Sequence, residues 1–275
     1  MHNPANSLAR LSQSLPSIAK SRCVGWSVVL LTVGLTAGWA GNARAESPAT
    51  APPQLKDALT QIDAAANRRD AQSLMQFYSG NFKNSDGLTR SGMEQALTQL
   101  WKRYSQLTYR TELQDWKADG NAIVAETITT ITGTQQSEGT PMTLESTLRS
   151  RQRLENQKIV QQNILAERTQ ITSGAKPPTV QVNLPDQVRV GQSYNFDVIV
   201  KEPLGDDLLL GTAMDEPIKP ELYAKPSELK LDLLPAGGIF KLGKAPTNED
   251  NRWLSAVLIR DGGLIMVTQR LQVVK

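Results

Sequence analysis

The chain has 275 residues and a formal net charge of +3, with a single histidine and a single cysteine. A lone cysteine excludes an internal disulfide, and one histidine with one cysteine excludes zinc sites built from several such ligands. The length favours two domains over one.

An export signal is predicted at the amino terminus. Residues 1–22 carry basic and no acidic side chains, and residues 23–41 form an uncharged apolar run. Ala43-Arg44-Ala45 then matches the A-x-A pattern of a cleavage site. This order is typical of a secretory signal peptide, so we expect cleavage after Ala45 and a mature chain in the bacterial periplasm or outside the cell. An uncleaved membrane anchor is one alternative, because the apolar run is close to the shortest length that spans a bilayer. Targeting to a thylakoid lumen is another, because the long start contains serines and no acidic residue.

Cleavage there would change both the charge and the available chemistry. Residues 1–45 contain four basic residues and no acidic one, which leaves 26 of the 30 basic residues against 27 acidic ones. No sign of charge then dominates, and we expect no nucleic-acid partner. His2 and Cys23 leave with the signal, which excludes Ser-His-Asp and Cys-His catalysis in their usual forms. We therefore expect no cofactor and no metal site.

Helices are predicted first in the mature chain. Residues 46–53 are small and rich in proline, which favours a flexible leader. Apolar residues then recur at helical spacing over residues 55–66 and 71–78, which predicts two helices, or one bent helix, ending near Gly80. Ser91 and Glu94 match a capping box and predict the start of a third helix.

Strands follow the helices from Leu107 onward, where the apolar period changes from 3.6 to 2. Four long strands are expected, with Glu155-Asn156-Gln157 as the hairpin turn between the last two. Residues 54–171 are thus predicted to form an α+β domain in which helices pack on one antiparallel sheet.

A second domain is predicted over residues 179–275. Residues 172–178 (T-S-G-A-K-P-P) have the composition of a linker. Seven short β-like runs follow, separated by turn signals such as Asp261-Gly262-Gly263. This spacing predicts an all-β sandwich that is immunoglobulin-like in the broad sense, without the paired cysteines of antibody domains.

The first domain resembles a known family. The segment N-R-R-D-A-Q-S-L-M-Q-F-Y-S-G-N-F, the following D-G, a short helix and the hairpin E-N-Q-K-I-V-Q-Q-N-I-L together resemble the nuclear transport factor 2-like superfamily, also called SnoaL-like, over residues 54–171. The resemblance implies a strongly curved sheet wrapped around helices to form a cone. The superfamily includes isomerases, dehydratases, hydrolases and many members without enzymatic activity, so the fold does not fix the function.

The resemblance also suggests candidate catalytic residues. Asp86 follows the first helices, where the base of ketosteroid isomerase lies in the family pattern, and Tyr78 is a candidate proton donor. A structural role is the simpler interpretation, because Asn-Ser-Asp-Gly is strong turn chemistry and Tyr78 fits a core aromatic.

Further candidate ligand contacts are Trp101 in the third helix and two carboxylates, Glu126 and Glu167, on strands whose facing the sequence does not fix. We expect a non-catalytic binding or assembly module whose partner is an envelope protein or a small apolar ligand. The alternative is an enzyme or ligand carrier that uses the cone, with Asp86 as base or polar anchor.

Overall fold

The computed structural model describes residues 45–275, except 105, 138–139, 225–226 and 228–229. The predicted signal segment therefore lies outside the described residues, apart from Ala45. Within the described residues, no helix has both the length and the apolar character needed to cross a membrane.

Helices lie mainly before the first long strand. They are a 3-10 turn at Pro48–Thr50, α1 (Pro53–Asn67), α2 (Ala71–Met75), α3 (Arg90–Arg103) and, much later, the short α4 (Pro220–Ala224). The apolar face of α1 is buried, as its periodicity predicts, and α2 begins where the Asp70 carboxylate accepts from the Ser73 amide.

Two local predictions in this region are wrong. The second helix ends at Met75, and Tyr78–Asn84 forms strand β1, which pairs in parallel with the later strand β5 (Lys158–Ser173). The cap of α3 is Thr89, whose hydroxyl accepts from the Gly92 amide at 3.2 Å, so the helix begins before the Ser91 capping box. The expected Asp86-Gly87 turn is present, because Gly87 has a φ of +84°.

Four long antiparallel strands form the predicted meander: β2 (Gln106–Asp119), β3 (Ala122–Ser137), β4 (Thr140–Glu155) and β5 (Lys158–Ser173). The hairpin between β4 and β5 turns at Asn156 and Gln157, which both have positive φ, as a tight two-residue turn requires.

The carboxyl-terminal strands overlap all seven predicted β-like runs. They are β6 (Val180–Asn183), β7 (Gln187–Arg189), β8 (Ser193–Val200), β9 (Leu210–Pro217), β10 (Asp232–Leu233), β11 (Gly238–Lys244), β12 (Asp250–Arg260) and β13 (Gly263–Val274). The short β7 and the helix α4 are additions that the sequence pattern did not predict.

One sheet continues from the meander into the carboxyl-terminal strands. Its order is β10-β9-β12-β13-β5-β4-β3-β2, with β1 on β5 and β7 on β13. The strand β5 joins the two parts, because its beginning pairs with β1 and its end pairs with β13, where Ser173 lies opposite Leu264. The predicted linker, residues 172–178, thus starts inside a paired strand. The proposed domain boundaries stay a prediction.

Two apolar cores accompany this sheet. The first joins α1–α3 to the meander and includes Leu55, Met75 and Phe82. The second is shared by β9, β12 and β13 of the large sheet and by the three-stranded sheet β11-β8-β6. The chain is therefore mostly antiparallel sheet with a few helices, which confirms the α+β class.

Candidate functional site

A cavity of about 400 Å³ lies between the helices and one face of the large sheet. Alternation along the strands decides which side chains reach it: on β4, Leu144, Ser146 and Leu148 line the cavity, while Glu145 and Thr147 are exposed on the other face. The walls are mostly apolar and include Leu59, Leu97, Ile131, Leu144, Ile171 and Met266.

Neutral polar side chains are grouped in one part of the wall. The Ser150 hydroxyl accepts weakly from the amide nitrogens of Gln152 (3.4 Å) and Gln162 (3.5 Å) and contacts the Thr127 hydroxyl. The Oε1 atoms of Gln152 and Gln162 are buried and have no hydrogen-bond partner. An unpaired buried amide oxygen is costly, so this group is suited to a donor such as a hydroxyl or an amine.

A second polar region of the wall is acidic and aromatic, and we call Glu167, Glu216, Tyr223 and Trp253 the acidic corner. The Trp253 indole donates to Glu167 at 2.9 Å, and Glu216 lies opposite Trp253 on the neighbouring strand. The Tyr223 and Trp253 rings meet edge to face, with centroids 4.9 Å apart.

Asp86 lies behind this corner in a buried ion pair. Its two carboxylate oxygens accept from Arg270 at 2.8 Å each, in a bidentate arrangement with both side chains fully buried. The Tyr223 hydroxyl donates to the same carboxylate, and Arg270 also donates to Glu167 at 3.0 Å. Arg270 thus joins two carboxylates of the amino-terminal part to the carboxyl-terminal strands.

Local sequence explains how Asp86 reaches this position. The Asn84 side chain accepts from the amides of Asp86 and Leu88, which closes the loop, and Gly87 supplies the positive φ. The Ser85 hydroxyl accepts from the Ile164 amide and ties the loop to β5. The loop therefore presents a fixed carboxylate to Arg270.

Burial and charge shift the pKa values of this cluster in predictable directions. Burial raises the pKa of the Tyr223 hydroxyl, and the charges of Glu167 and Asp86 raise it further, so the tyrosine stays a donor. Burial would lower the pKa of Arg270, but the hydrogen bond and charge of Asp86 and the charge of Glu167 outweigh it and raise that pKa. The Arg270 guanidinium therefore stays charged across the physiological pH range.

Comparison with known proteins matches one family model. Residues 175–274 match a domain of unknown function, DUF8623. No curated protein matches the chain by sequence.

Solved structures give weak likenesses. The chain is similar to Bd1075 of Bdellovibrio bacteriovorus, at 13% identity and a TM-score of 0.29, over 40% of this chain and 38% of that one. It is similar to an LEH-like epoxide hydrolase of M. tuberculosis, at 12% identity and a TM-score of 0.29, over 40% of this chain and 80% of that one. A third similar structure is a hypothetical protein of Catenulispora acidiphila with a ketosteroid isomerase-like fold, at 11% identity and a TM-score of 0.30, over 43% of this chain and 85% of that one. At these TM-scores a likeness carries no functional argument.

The structure places the five residues selected from the sequence in different environments. Tyr78 and Glu167 line the cavity, whereas Asp86 is held behind its wall by Arg270. Trp101 is buried beside the cavity lining and donates to the Tyr109 hydroxyl at 2.9 Å. Glu126 lies on the opposite face of β3, where Arg149 and Arg151 cover it.

Several residues of the site were not found from the sequence. They are Gln152, Gln162, Tyr223, Trp253 and Arg270, which belong to no sequence motif. Tyr223, Trp253 and Arg270 each bind a partner at least 86 positions away in the chain. A weak signal exists for Arg270, which is a charged residue inside an otherwise uncharged strand, L-I-M-V-T-Q-R-L-Q-V-V.

In the part of the chain that the structure describes, no three of the His, Cys, Asp and Glu side chains are placed to hold a metal ion. The arrangement offers apolar contact, neutral hydrogen-bond acceptors and carboxylates, which are the groups of a ligand-binding cavity.

Proposed function

We propose that the mature chain is an exported, non-catalytic module that binds a small amphipathic molecule in the cavity. The observation that carries the proposal is the mostly apolar cavity of about 400 Å³ whose wall contains the unpaired amide oxygens of Gln152 and Gln162. Its size lies within the range of sites for small ligands, and the amides supply a polar contact that a ligand donor would satisfy.

The proposed fold is a nuclear transport factor 2-like cone over residues 54–171, joined to an immunoglobulin-like sandwich over residues 179–275. Support comes from the order of elements, helices before a four-stranded meander, and from the second core shared by two sheets. The proposed location is the bacterial periplasm or the exterior of the cell, on the strength of the amino-terminal sequence alone.

Catalysis with Asp86 as base is the less favoured alternative. A general base needs a free lone pair within reach of its substrate. Each oxygen of Asp86 already accepts two hydrogen bonds, Oδ1 from Arg270 and Ser85 and Oδ2 from Arg270 and Tyr223. The residue also lies outside the group that lines the cavity. The same carboxylate therefore supports a structural role more directly than a chemical one.

A cavity-filling variant tests the proposal. Native mass spectrometry of the mature chain purified from its own cells is expected to show a bound small molecule that denaturation releases. Ser146→Phe places a ring in the cavity and should abolish this adduct, whereas Thr147→Phe adds the same ring to the exposed face of the same strand and should retain it. An adduct that survives Ser146→Phe unchanged, or its absence from the wild-type chain, would contradict the proposal.

A protein partner at the cell envelope is the second candidate function. It is favoured by a leucine patch, Leu208, Leu210, Leu231 and Leu233, whose members are 39% to 71% exposed at the β9–β10 edge of the large sheet. Crosslinking in the source cells should capture an envelope component, and Leu208→Ser with Leu233→Ser should abolish the capture. Leu242→Ser, on the separate strand β11, is the matched control.

A further inference from the structure

The charged side chains in the cavity wall are all acidic. Asp63, Glu167 and Glu216 line the cavity, and among the described lining residues none is lysine or arginine. The bias is specific to this site, because the mature chain as a whole is nearly neutral. A cavity with one sign of charge and apolar walls selects ligands by charge.

Arg270 does not neutralise this charge. It is shared between Asp86 and Glu167, so one guanidinium faces two carboxylates. The polar partners of the other two carboxylates are uncharged: Glu216 accepts from the Ser227 hydroxyl at 2.6 Å, and Asp63 accepts from the amide and hydroxyl of Thr111. Within the described residues no ion pair reaches Asp63 or Glu216, so the wall keeps surplus negative charge.

The acidic corner also contains the aromatic surface that weakly hydrated cations prefer. Tyr223 and Trp253 line the cavity. On the sheet, Trp253 lies opposite Glu216 of β9 on one side and opposite Arg270 of β13 on the other, and its indole donates to Glu167. A cation over an aromatic face beside a carboxylate gains from both, and desolvation strengthens the gain.

We propose that the acidic corner binds the cationic head of an organic ammonium whose apolar body occupies the rest of the cavity. This rests on the proposed function, because it specifies the chemical class of the ligand in the same cavity. The unpaired oxygens of Gln152 and Gln162 accept from a hydroxyl or amine at the other polar region of the wall. Carboxylate and phosphate amphiphiles are disfavoured, because no basic side chain among the described residues lines the wall to receive them.

The test uses three probes with the same alkyl chain and different heads, namely octyltrimethylammonium, octanol and octanoate. Each is titrated by calorimetry into the mature chain, residues 46–275, below its micelle concentration. The ammonium should bind about tenfold more tightly than octanol, which corresponds to the gain of a desolvated cation beside an aromatic ring. Octanoate should bind more weakly than octanol.

Two variants assign the preference to the corner. Glu216→Gln removes a carboxylate without touching the Arg270 network, and it should reduce the ammonium affinity toward that of octanol while octanol binding stays unchanged. Glu145→Gln removes an exposed carboxylate on the other face of β4 and should change neither the ammonium affinity nor the octanol affinity. Circular dichroism of each variant verifies that the fold is retained.

The outcomes separate this proposal from the proposed function. Equal binding of the three probes, abolished by Ser146→Phe, would overturn the cationic head while the ligand-binding cavity stands. Tighter binding of octanoate than of the ammonium would do the same. If no probe binds, the cationic head is overturned as well, and the adduct in native mass spectrometry then decides the cavity proposal independently.

Discussion

At the residue scale, Asp86 changes its role between sequence and structure. Its position in a turn before glycine suggested either a catalytic base or a structural loop residue. The structure shows Asp86 in that turn, where its carboxylate binds Arg270, 184 positions later in the chain. A buried ion pair is weak evidence for net stability, because both charges lose their hydration. Its effect is to make the loss of either partner costly.

Removing one charge of this pair should therefore destabilise the fold more than removing both. Asp86→Ala leaves Arg270 buried beside Glu167 alone, and the free energy of unfolding should fall by about 3–5 kcal/mol. The double variant Asp86→Leu with Arg270→Met removes both charges and should lose less. Urea unfolding measures the free energy of unfolding of both variants. A double variant that is less stable than Asp86→Ala would contradict this prediction.

Tyr78 supplies a second residue-scale prediction, on pH. Burial raises the pKa of its hydroxyl from 10.0 to about 12, so the folded chain keeps a proton that the unfolded chain loses. Stability from this group is present below pH 10 and declines as the pH rises toward about 12, by roughly 2–3 kcal/mol.

Tyr78→Phe cannot ionise and should lose that part of the alkaline decline. Urea unfolding at several pH values between about 9 and 12 measures the difference between the two chains, and the other tyrosines act as a common background. Identical stability profiles against pH for the wild type and Tyr78→Phe would show that ionisation of Tyr78 does not cause the alkaline decline in stability.

At the element scale, the start of α3 shows how a plausible local motif can be displaced by its neighbour. Ser91 and Glu94 have capping-box spacing, yet Thr89 caps the helix, with extended backbone and a hydroxyl that accepts from Gly92. Both residues have the chemistry of a cap. The isolated bridge between Lys83 and Thr89 holds Thr89 in extended backbone and so decides between them.

Thr89→Ala should destabilise the chain by about 1 kcal/mol, because the first turn of α3 loses its side-chain acceptor. Ser91→Ala is the matched control and should have a smaller effect, because Ser91 lies inside the helix. Thermal and urea unfolding of both variants measure the difference. The assignment of the cap would be overturned if Ser91→Ala were the more damaging change.

At the scale of the whole molecule, one sheet connects the two parts that the sequence separates at residues 172–178. The β5–β13 ladder runs from Arg168 opposite Gln269 to Ser173 opposite Leu264, and the Asp86–Arg270 pair joins the same parts. Hydrogen bonds and a buried ion pair across the junction favour cooperative unfolding.

The mature chain should therefore unfold in a single transition, with the same midpoint by tryptophan fluorescence and by circular dichroism. A fragment of residues 46–174 would lose the β13 partner of β5 and leave Asp86 without Arg270, so it should be much less stable than the whole. Two resolved transitions, or a fragment as stable as the intact chain, would favour independent domains.

Much of the fold was predictable because its signals are local. The meander, the Asn156-Gln157 hairpin and the seven carboxyl-terminal runs follow from alternation and turn residues that lie next to each other in the chain. Tyr78 shows the limit of such signals: its spacing from Leu74 fits a helix, but pairing with Ile159 of β5 draws it into a strand. Tertiary pairing outweighed a weak local preference there.

The candidate site was less predictable because its residues are brought together only by the tertiary structure. Glu126 and Glu167 both lie on strands with mixed polarity, and a period of two separates two faces without saying which one faces the helices. The structure turns Glu167 into the cavity and Glu126 away from it.

By itself, the sequence determined the order of the three longer parts, helices, meander and carboxyl-terminal strands, and the α+β class. It also led us to expect a mature chain without imidazole or thiol. Only the tertiary structure decided that Asp86 pairs with Arg270, that Gln152 and Gln162 are left with unpaired oxygens, and that acidic and aromatic side chains meet in one corner. The physical reason is distance along the chain. Periodicity and turn chemistry act over a few residues, whereas the partner of a buried charge is fixed by strand pairing between segments far apart in sequence.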